Sequence, residues 1–295
     1  MTGTTGDDSS FAGRASGSTP RAVVLVVATA AIVGLVVAVV YLAVVGGPLI
    51  GLALGVVVAA AVAALAWWGS GPLALRLLGA EPADPVAHAR LFNLVEGLGA
   101  NAGVPQPTLY VVQAPGLNAL TMGHSARHAT LVVTTGLLDR LSRIELEAVL
   151  AHELSHIRSD DILTATVAVG LFGILGRPAR AATGSGAGAV LASLLVPVSA
   201  LAGLGLQLSL DPHREEVADS SGVHLTRYPP ALVSALEKME LTGTFVPAGP
   251  GSPAIAHLWL GSSQPPPATD RLAWLTRLFE THPPLGERIE ALREL

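Results

Sequence analysis

Two long apolar runs near the amino terminus constrain this chain more than any other feature. Residues 22–45 and 49–68 carry no charge, and only Gly46-Gly47-Pro48 separates them. Each run is long enough to cross the hydrocarbon core of a bilayer, about 30 Å thick, as a helix. Because so short a break leaves room only for a tight turn, we predict a transmembrane hairpin over residues 21–68.

The composition favours a membrane protein over a buried helical pair in a soluble protein. Hydrophobic residues make up 51% of the 295 positions and charged residues only 13%, whereas soluble domains are about one quarter charged. Trp67 and Trp68 end the second run, where an interfacial aromatic belt would place them. Gly51 and Gly55 would let the two helices pack closely.

Charge and cysteine content exclude two further kinds of protein. The net charge is −5 and no basic cluster occurs, so nucleic-acid binding has no support. The chain contains no cysteine, which excludes disulfides and thiolate metal sites. Any metal ion must therefore be held by histidine and carboxylate side chains.

A His-Glu-x-x-His motif occupies residues 152–156. Residues four apart lie on one face of a helix, so His152 and His156 could bind one Zn²⁺ and leave room for water. Glu153 lies beside them and could accept the proton of that water. Such five-residue matches also arise by chance, so the motif counts only if the segment is helical.

The flanking residues indicate that this segment is helical. Ser142 and Glu145 form the capping-box pattern of a helix start, and apolar residues then recur at roughly helical spacing. Arg158 places a cation where the helix dipole favours one. We predict a helix over residues 143–157.

Catalytic zinc usually takes a third protein ligand, which should come from another segment. We favour Glu215, in a charged helix predicted over residues 211–227, and keep Glu216 as the rival ligand. Asp219 lies one turn after Glu215 on the same face, where a carboxylate could orient a ligand histidine through its other ring nitrogen. Ligands of these types also accept other divalent ions.

Two further apolar stretches, residues 162–176 and 187–210, separate the motif from this helix. They either cross the membrane or form a hydrophobic hairpin beside it, and we favour crossing. Because His156 and Glu215 must meet at one ion, the chain between them crosses the bilayer an even number of times. The two arginines between the stretches would then lie outside, against the usual charge rule.

The remaining chain predicts a small α+β unit that is mainly helical. Asp84-Pro85 has the pattern of an N-cap followed by the first residue of a helix. Three strand-like segments, separated by Pro, Gly and polar residues, come before the metal helix. They cover residues 108–112, 119–122 and 129–134.

The chain thus divides into five segments. These are a disordered tail (1–20), the transmembrane hairpin (21–68), the first part of the metal-binding domain (69–161), the second hydrophobic hairpin (162–210) and the second part of the metal-binding domain (211–295).

The motifs together resemble the M48 family of integral-membrane zinc metallopeptidases, in particular its bacterial heat-shock branch. The resemblance covers about residues 21–295, and its combination of motifs is highly specific. It is carried by the His-Glu-x-x-His motif, Asp161 five residues beyond it, Arg-Glu-x-x-Ala-Asp from Arg214, Thr-His-Pro-Pro from Thr281 with Glu-Arg-Ile after it, and the segments Asn118-Ala119 and 133–138. Glu216 departs from the pattern, because the family commonly has an aromatic residue there.

This resemblance implies a gluzincin-like fold with one Zn²⁺ per subunit, held by His152, His156 and Glu215. It implies a supporting role for Asp161 next to these ligands. It also implies a multi-pass plasma-membrane protein with a cytoplasmic zinc domain that belongs to the stress response. The expected substrates are polypeptides, in particular damaged or misfolded membrane proteins.

Other groups could contact the substrate. His282, His124 and Arg288 are candidates for a second donor to the oxyanion. The strand near Asn118 could pair with an extended substrate backbone by strand addition.

Two other functions remain as alternatives. One is a membrane protein with a structural zinc site, against which the intact Glu153 argues, since structural sites are usually closed by four ligands. The other is a channel or transporter, against which the absence of charge in the first two spans argues. A soluble secreted protease is incompatible with the hairpin.

Overall fold

The computed structural model describes residues 18–181, 197, 201, 204–211, 213–246, 255–261 and 282–295. The predicted tail, except its end, and much of the stretch 187–210 lie outside the described residues. The helices are α1 (Ser18–Val45), α2 (Pro48–Trp68), α3 (Ser70–Leu78), α4 (Ala89–Ala102), α5 (Thr135–Arg140), α6 (Arg143–Arg158), α7 (Ile162–Ala181), α8 (Arg214–Thr226), α9 (Pro229–Thr242) and α10 (Leu285–Arg293), and the strands are β1 (Glu81–Pro82), β2 (Thr108–Val112), β3 (Ala119–Gly123) and β4 (Ala129–Thr134).

The two long apolar helices are present as predicted. Within the described part of the chain, Thr19–Val45 and Pro48–Trp68 are the helices long and apolar enough to span a membrane. They cross where Gly34 meets Gly55, since a Cβ added at either glycine would lie 2.5 Å from the other's carbonyl oxygen. Their outer faces expose apolar side chains such as Leu49, which is 81% accessible. Surfaces of this kind suit a lipid environment better than water.

Helix α7 extends beyond the predicted stretch 162–176. It has 20 residues, and its first half packs against α1, α2, α3 and β3. Leu163, Val167 and Leu171 are buried there among apolar side chains of α1 and α2. The start of α7 therefore joins the apolar helices to the sheet, and a membrane crossing by residues 162–210 stays a prediction.

A four-stranded sheet lies between helices α3 and α7 on one face and helices α4 and α6 on the other. Its strand order is β1-β2-β4-β3, with β2 and β4 parallel and β3 antiparallel to β4. Strand β3 is consequently an edge strand, and both α6 and α7 contact it. The predicted bounds of β2 and β4 are confirmed, and β3 is one residue longer than predicted.

The predicted start of α4 is wrong. Asp84 does not begin the helix, because its Oδ1 accepts the backbone N–H groups of Val86 and Ala87, each at 2.7 Å, within a separate turn. The helix starts at Ala89 and ends at Ala102, and its C-cap is Gly103, whose φ of 67° is left-handed. A capping side chain can satisfy a turn as well as a helix end, and the sequence pattern does not distinguish the two.

Helix α6 lies at the centre of the domain. Its capping box forms as predicted: Glu145 N donates to Ser142 Oγ, and Ser142 N donates to the Glu145 carboxylate. The helix contacts α4, α8, α9 and β3, so that every residue from Ala148 to Ile157 is buried. A polar motif buried in this way needs partners for each of its side chains.

Candidate metal centre

Helix α6 brings the two motif histidines together. His152 is fully buried and His156 nearly so. Their rings meet edge to face, and their Nε2 atoms lie 3.1 Å apart. The helical spacing that predicted a shared face is therefore confirmed at the level of atoms.

Helix α8 adds Glu215 to the pair. Its Oε2 lies 3.6 Å from His152 Nε2, and its Oε1 lies 3.8 Å from His156 Nε2. The close approach of the two helices depends on Gly222, where a Cβ would meet the backbone nitrogen of His152 at 3.0 Å. Glu216, the rival, is 77% exposed and contacts His213 instead. The converging carboxylate is Glu215.

Each histidine has a carboxylate on its other ring nitrogen. His152 Nδ1 donates to Asp219 Oδ1 at 2.8 Å, and His156 Nδ1 donates to Asp161 Oδ2 at 2.9 Å. This tautomer, assigned from the contacts, leaves a lone pair on each Nε2. Two lone pairs 3.1 Å apart repel one another unless a cation or a proton lies between them.

The donor set fits a divalent metal ion. The ligand atoms of His152, His156 and Glu215 all lie within 4.8 Å of one another. Ligands bound about 2.1 Å from a tetrahedral Zn²⁺ would be roughly 3.4 Å apart, close to the observed 3.1–3.8 Å. Within the described part of the chain, both Glu215 oxygens are buried and accept no hydrogen bond. Arg214, His282 and Arg288 lie within 3.5 Å of these oxygens without forming a hydrogen bond of good geometry, and an ion between the carboxylate and the two imidazoles would satisfy them.

Electrostatics in this cluster keep the carboxylate ionised. Burial would raise the pKa of Glu215, but His282, His156 and Arg214 outweigh burial and hold that pKa well below its ordinary value. Burial would lower the pKa of His156, but the carboxylates of Asp161 and Glu215 raise it to about 9. In the absence of metal the site therefore favours a proton on His156, which a metal ion would have to displace.

Glu153 faces a small cavity next to the histidines. Burial raises its pKa above the ordinary value, and its Oε2 accepts a hydrogen bond from Thr121 Oγ1 at 2.9 Å. The cavity measures about 20 Å³, which is room for a water molecule. Its lining comprises Thr121, His152, Glu153, His156, Asp161, Ile162, Ala165, Arg214, His257, Leu258, Leu260 and His282.

Two of the predicted substrate contacts lie at this cluster. His282 lines the cavity, with Nε2 3.1 Å from Glu215 Oε1. Arg288 is buried behind the cluster, where Nε and Nη2 donate to the two oxygens of Asp219 at 2.9 and 2.6 Å. Arg288 thus contacts the partner of His152, and its role as an oxyanion donor stays a prediction.

The other two predicted contacts lie elsewhere. Asn118 is fully buried; its Nδ2 donates to the carbonyls of Thr244 and Gly261, and its Oδ1 accepts from Gly261 N. His124 is hydrogen-bonded to the carbonyl oxygen of Trp67 near the end of α2. Neither residue is among those that line the cavity within the described residues.

The edge of β3 is partly occupied already. Leu260 N donates to Ala119 O at 2.9 Å, and Gly123 N donates to Thr166 Oγ1 at 2.8 Å. Thr121 lies between these two positions and faces the cavity. The predicted pairing with a substrate strand would therefore centre on Thr121.

Sequence reasoning missed Thr121, Arg214 and His257 as residues of the cavity. Thr121 lies within a predicted strand, and alternation along β3 would have placed it on the same face as Ala119. Arg214 was part of a motif but was given no role. His257 is fully buried and contacts Ala165 O at 2.8 Å, and the Pro-, Gly- and Ser-rich composition around it carried no signal for a buried histidine.

Comparisons with known proteins all lead to one peptidase family. The model of peptidase family M48 matches residues 85–295. A protease HtpX homolog of Tropheryma whipplei is 36% identical over 252 residues, which cover 80% of this chain and 83% of that protein. Those of Acidiphilium cryptum and Thermococcus kodakarensis are 36% and 33% identical, covering 83% and 78% of this chain and 87% and 82% of their own lengths.

Proposed function

This chain belongs to peptidase family M48, and on that premise we propose that it is a membrane-bound, zinc-dependent endopeptidase. One observation carries the proposal. His152, His156 and Glu215 converge within 4.8 Å, and Glu153 faces the same cavity. We propose polypeptides as substrates, with damaged or misfolded membrane proteins as the class and quality control as the role.

A zinc ion held by His152, His156 and Glu215 would supply a Lewis acid and lower the pKa of water toward neutrality. The proton of the attacking water would then pass to Glu153. Thr121 donates to Oε2 of Glu153, and the carboxylate would take the proton and deliver it to the leaving amine.

The surrounding residues would keep the metal ligands and Glu153 in their positions. Asp219 and Asp161 fix the ring orientation of the two histidines, so that neither ring has to turn when metal binds. The walls of the cavity exclude bulk water, which strengthens each charge interaction inside. An extended substrate could pair with β3 at Thr121, which would bring its backbone alongside Glu153.

The proposed metal site also limits which membrane topologies are possible. We propose that residues 21–68 form a transmembrane hairpin and that residues 162–210 form a second one, with the peptidase domain in the flanking segments 69–161 and 211–295. An even number of crossings leaves His156 and Glu215 on one side, which we propose to be the cytoplasm.

The first test is cleavage of casein by the detergent-purified protein with and without a chelator, followed by added zinc. Glu153→Gln should bind zinc normally and cleave about 10²–10⁴-fold more slowly, because it removes only the base. Glu147→Gln, on the same helix, is the matched control and should cleave like wild type. Zinc binding with equal, negligible cleavage in all three proteins would instead indicate a structural site.

The second test separates the two neighbouring glutamates. Glu215→Gln should lose zinc at concentrations that saturate wild type, whereas Glu216→Gln should keep it, since that side chain points to solvent. Zinc content can be measured by atomic absorption after gel filtration. Retention by Glu215→Gln with loss by Glu216→Gln would make Glu216 the ligand and contradict the proposed site.

A further inference from the structure

Arg214 occupies an unfavourable position for an arginine. It is the first residue of α8, where the positive end of the helix dipole repels a cation. Its side chain is only 7% exposed, so the guanidinium has also lost most of its hydration. Both costs must be offset by its neighbours.

Those neighbours belong to the metal centre. Arg214 Nε lies 3.1 Å from Glu215 Oε1, and Nη2 lies 3.0 Å from His282 Nε2. A guanidinium is planar and permanently charged, so it can hold two groups at fixed directions. Arg214 therefore ties the start of α8 to the segment that carries His282.

The contact completes a pattern around the proposed ligands. His152 has Asp219 on its outer nitrogen, and His156 has Asp161. We propose that Arg214 is the corresponding positioning residue for Glu215, holding Oε1 so that the carboxylate faces both imidazoles. This inference rests on the proposed function, since it takes these three residues to be metal ligands.

Glu215 needs such a partner because other polar groups lie close enough to compete for it. Arg288 Nη1 lies 3.5 Å from Oε2, and His282 Nε2 lies 3.1 Å from Oε1. Without Arg214, the carboxylate would turn toward these groups and away from the ion. Simple charge repulsion predicts the opposite, because removing a cation beside a metal site should tighten metal binding.

Two variants distinguish an orienting role of Arg214 from an effect of its charge alone. Arg214→Lys keeps the charge and most of the length but lacks the planar guanidinium, and Arg214→Gln keeps a polar group without the charge. Zinc affinity would be measured on the full-length protein in detergent, by competition with a chromogenic chelator. Arg293→Gln, which breaks an exposed ion pair with Glu237, is the matched control.

If Arg214 positions Glu215, both variants should bind zinc about 10–100-fold more weakly, and the control should match wild type. The visible bands of the Co²⁺-substituted variants should shift, which a merely structural role would not cause. The value of kcat should fall more than KM changes. Thermal unfolding of the metal-free proteins checks that each variant folds. If Arg214→Gln does not fold, the zinc affinity of Arg214→Lys alone tests the positioning role.

Wild-type affinity and an unchanged Co²⁺ spectrum in Arg214→Lys would overturn the inference, as would tighter binding in Arg214→Gln. The proposed function is tested separately by wild type. If wild type bound no zinc, the proposed function itself would fail. If wild type bound zinc and depended on Glu153 while Arg214→Lys behaved normally, only the positioning role would fail.

Discussion

At the scale of single residues, the site depends on which atoms face inward. Glu215 and Glu216 are adjacent in sequence, yet one is 1% and the other 77% exposed. Glu153 also depends on a single neighbouring group, because its Oε2 accepts a hydrogen bond from the Thr121 hydroxyl. Small substitutions at these positions should therefore separate metal binding from catalysis.

Thr121→Val should lower kcat about 10–100-fold and leave zinc affinity unchanged. The variant keeps the shape of the side chain but removes a hydrogen bond to a buried carboxylate, and bonds to charged groups contribute roughly 1.5–3 kcal/mol. Cleavage rates at saturating casein, with zinc content measured in parallel, check this expectation. Thr121→Ser, which restores the hydroxyl, should recover most of the rate. Equal rates in all three proteins would show that Glu153 does not need this contact.

At the scale of elements, the amino terminus of α6 holds the motif helix in place. Burial would raise the pKa of Glu145, but hydrogen bonds from Lys238, Ser234 and Ser142 lower it to about 2. A carboxyl whose pKa is depressed on folding stabilises the protein fully above its unfolded pKa, near 4.5. That contribution is lost as the pH falls from about 4.5 toward 2.

Glu145→Gln should accordingly lower the melting temperature of the metal-free protein at pH 7 and flatten its decline between pH 5 and 3. The loss of the charged cap corresponds to about 1–2 kcal/mol. Circular dichroism in detergent, with a chelator present so that metal release plays no part, gives both curves. Parallel pH curves for the variant and wild type would contradict the assignment, and Glu147→Gln serves as the control on the same helix.

The crossing of α1 and α2 is a second feature of this scale. Gly55→Leu should destabilise the protein by about 1–3 kcal/mol, since even a Cβ there would lie 2.5 Å from the Gly34 carbonyl oxygen. Ala53→Leu, on the exposed face of the same helix, adds the same side chain without that contact and should be neutral. Melting temperatures in detergent compare the two. A tolerated Gly55→Leu would mean that the helices do not pack at this point.

At the scale of the whole molecule, the apolar helices decide where the peptidase domain can act. The start of α7 packs against α1 and α2 on one side and β3 on the other. The metal centre is therefore joined to the helices that we propose to lie in the bilayer. This arrangement predicts the side from which each part of the chain can be reached.

Because the chain contains no cysteine, single cysteines can report sidedness with an impermeant thiol reagent. Gly47→Cys, between α1 and α2, should react in intact cells, whereas Glu216→Cys should react only in inverted vesicles. Gly47 suits the test better than Gly46, whose φ of 84° strains any other residue. Labelling of both positions from one side would rule out a transmembrane hairpin over residues 21–68.

The sequence by itself determined the local features. The capping box, the two apolar helices, strands β2 and β4 and the i, i+4 histidine pair all depend on residues close together in the chain, and propensity and periodicity act over that range. Asp84 shows the limit even there, because the same capping residue closes a turn and not the helix.

Only the tertiary structure decided how the distant segments complete the site. Packing of α8 on α6 at Gly222 places Glu215 inside and leaves Glu216 in solvent, and burial pairs Arg288 with Asp219. Contacts between segments 32 and 69 residues apart joined Thr121 to Glu153 and Arg288 to Asp219. Buried charged groups must pair with one another because they have lost their contact with water. Which distant groups are buried together cannot be predicted from local patterns in the sequence.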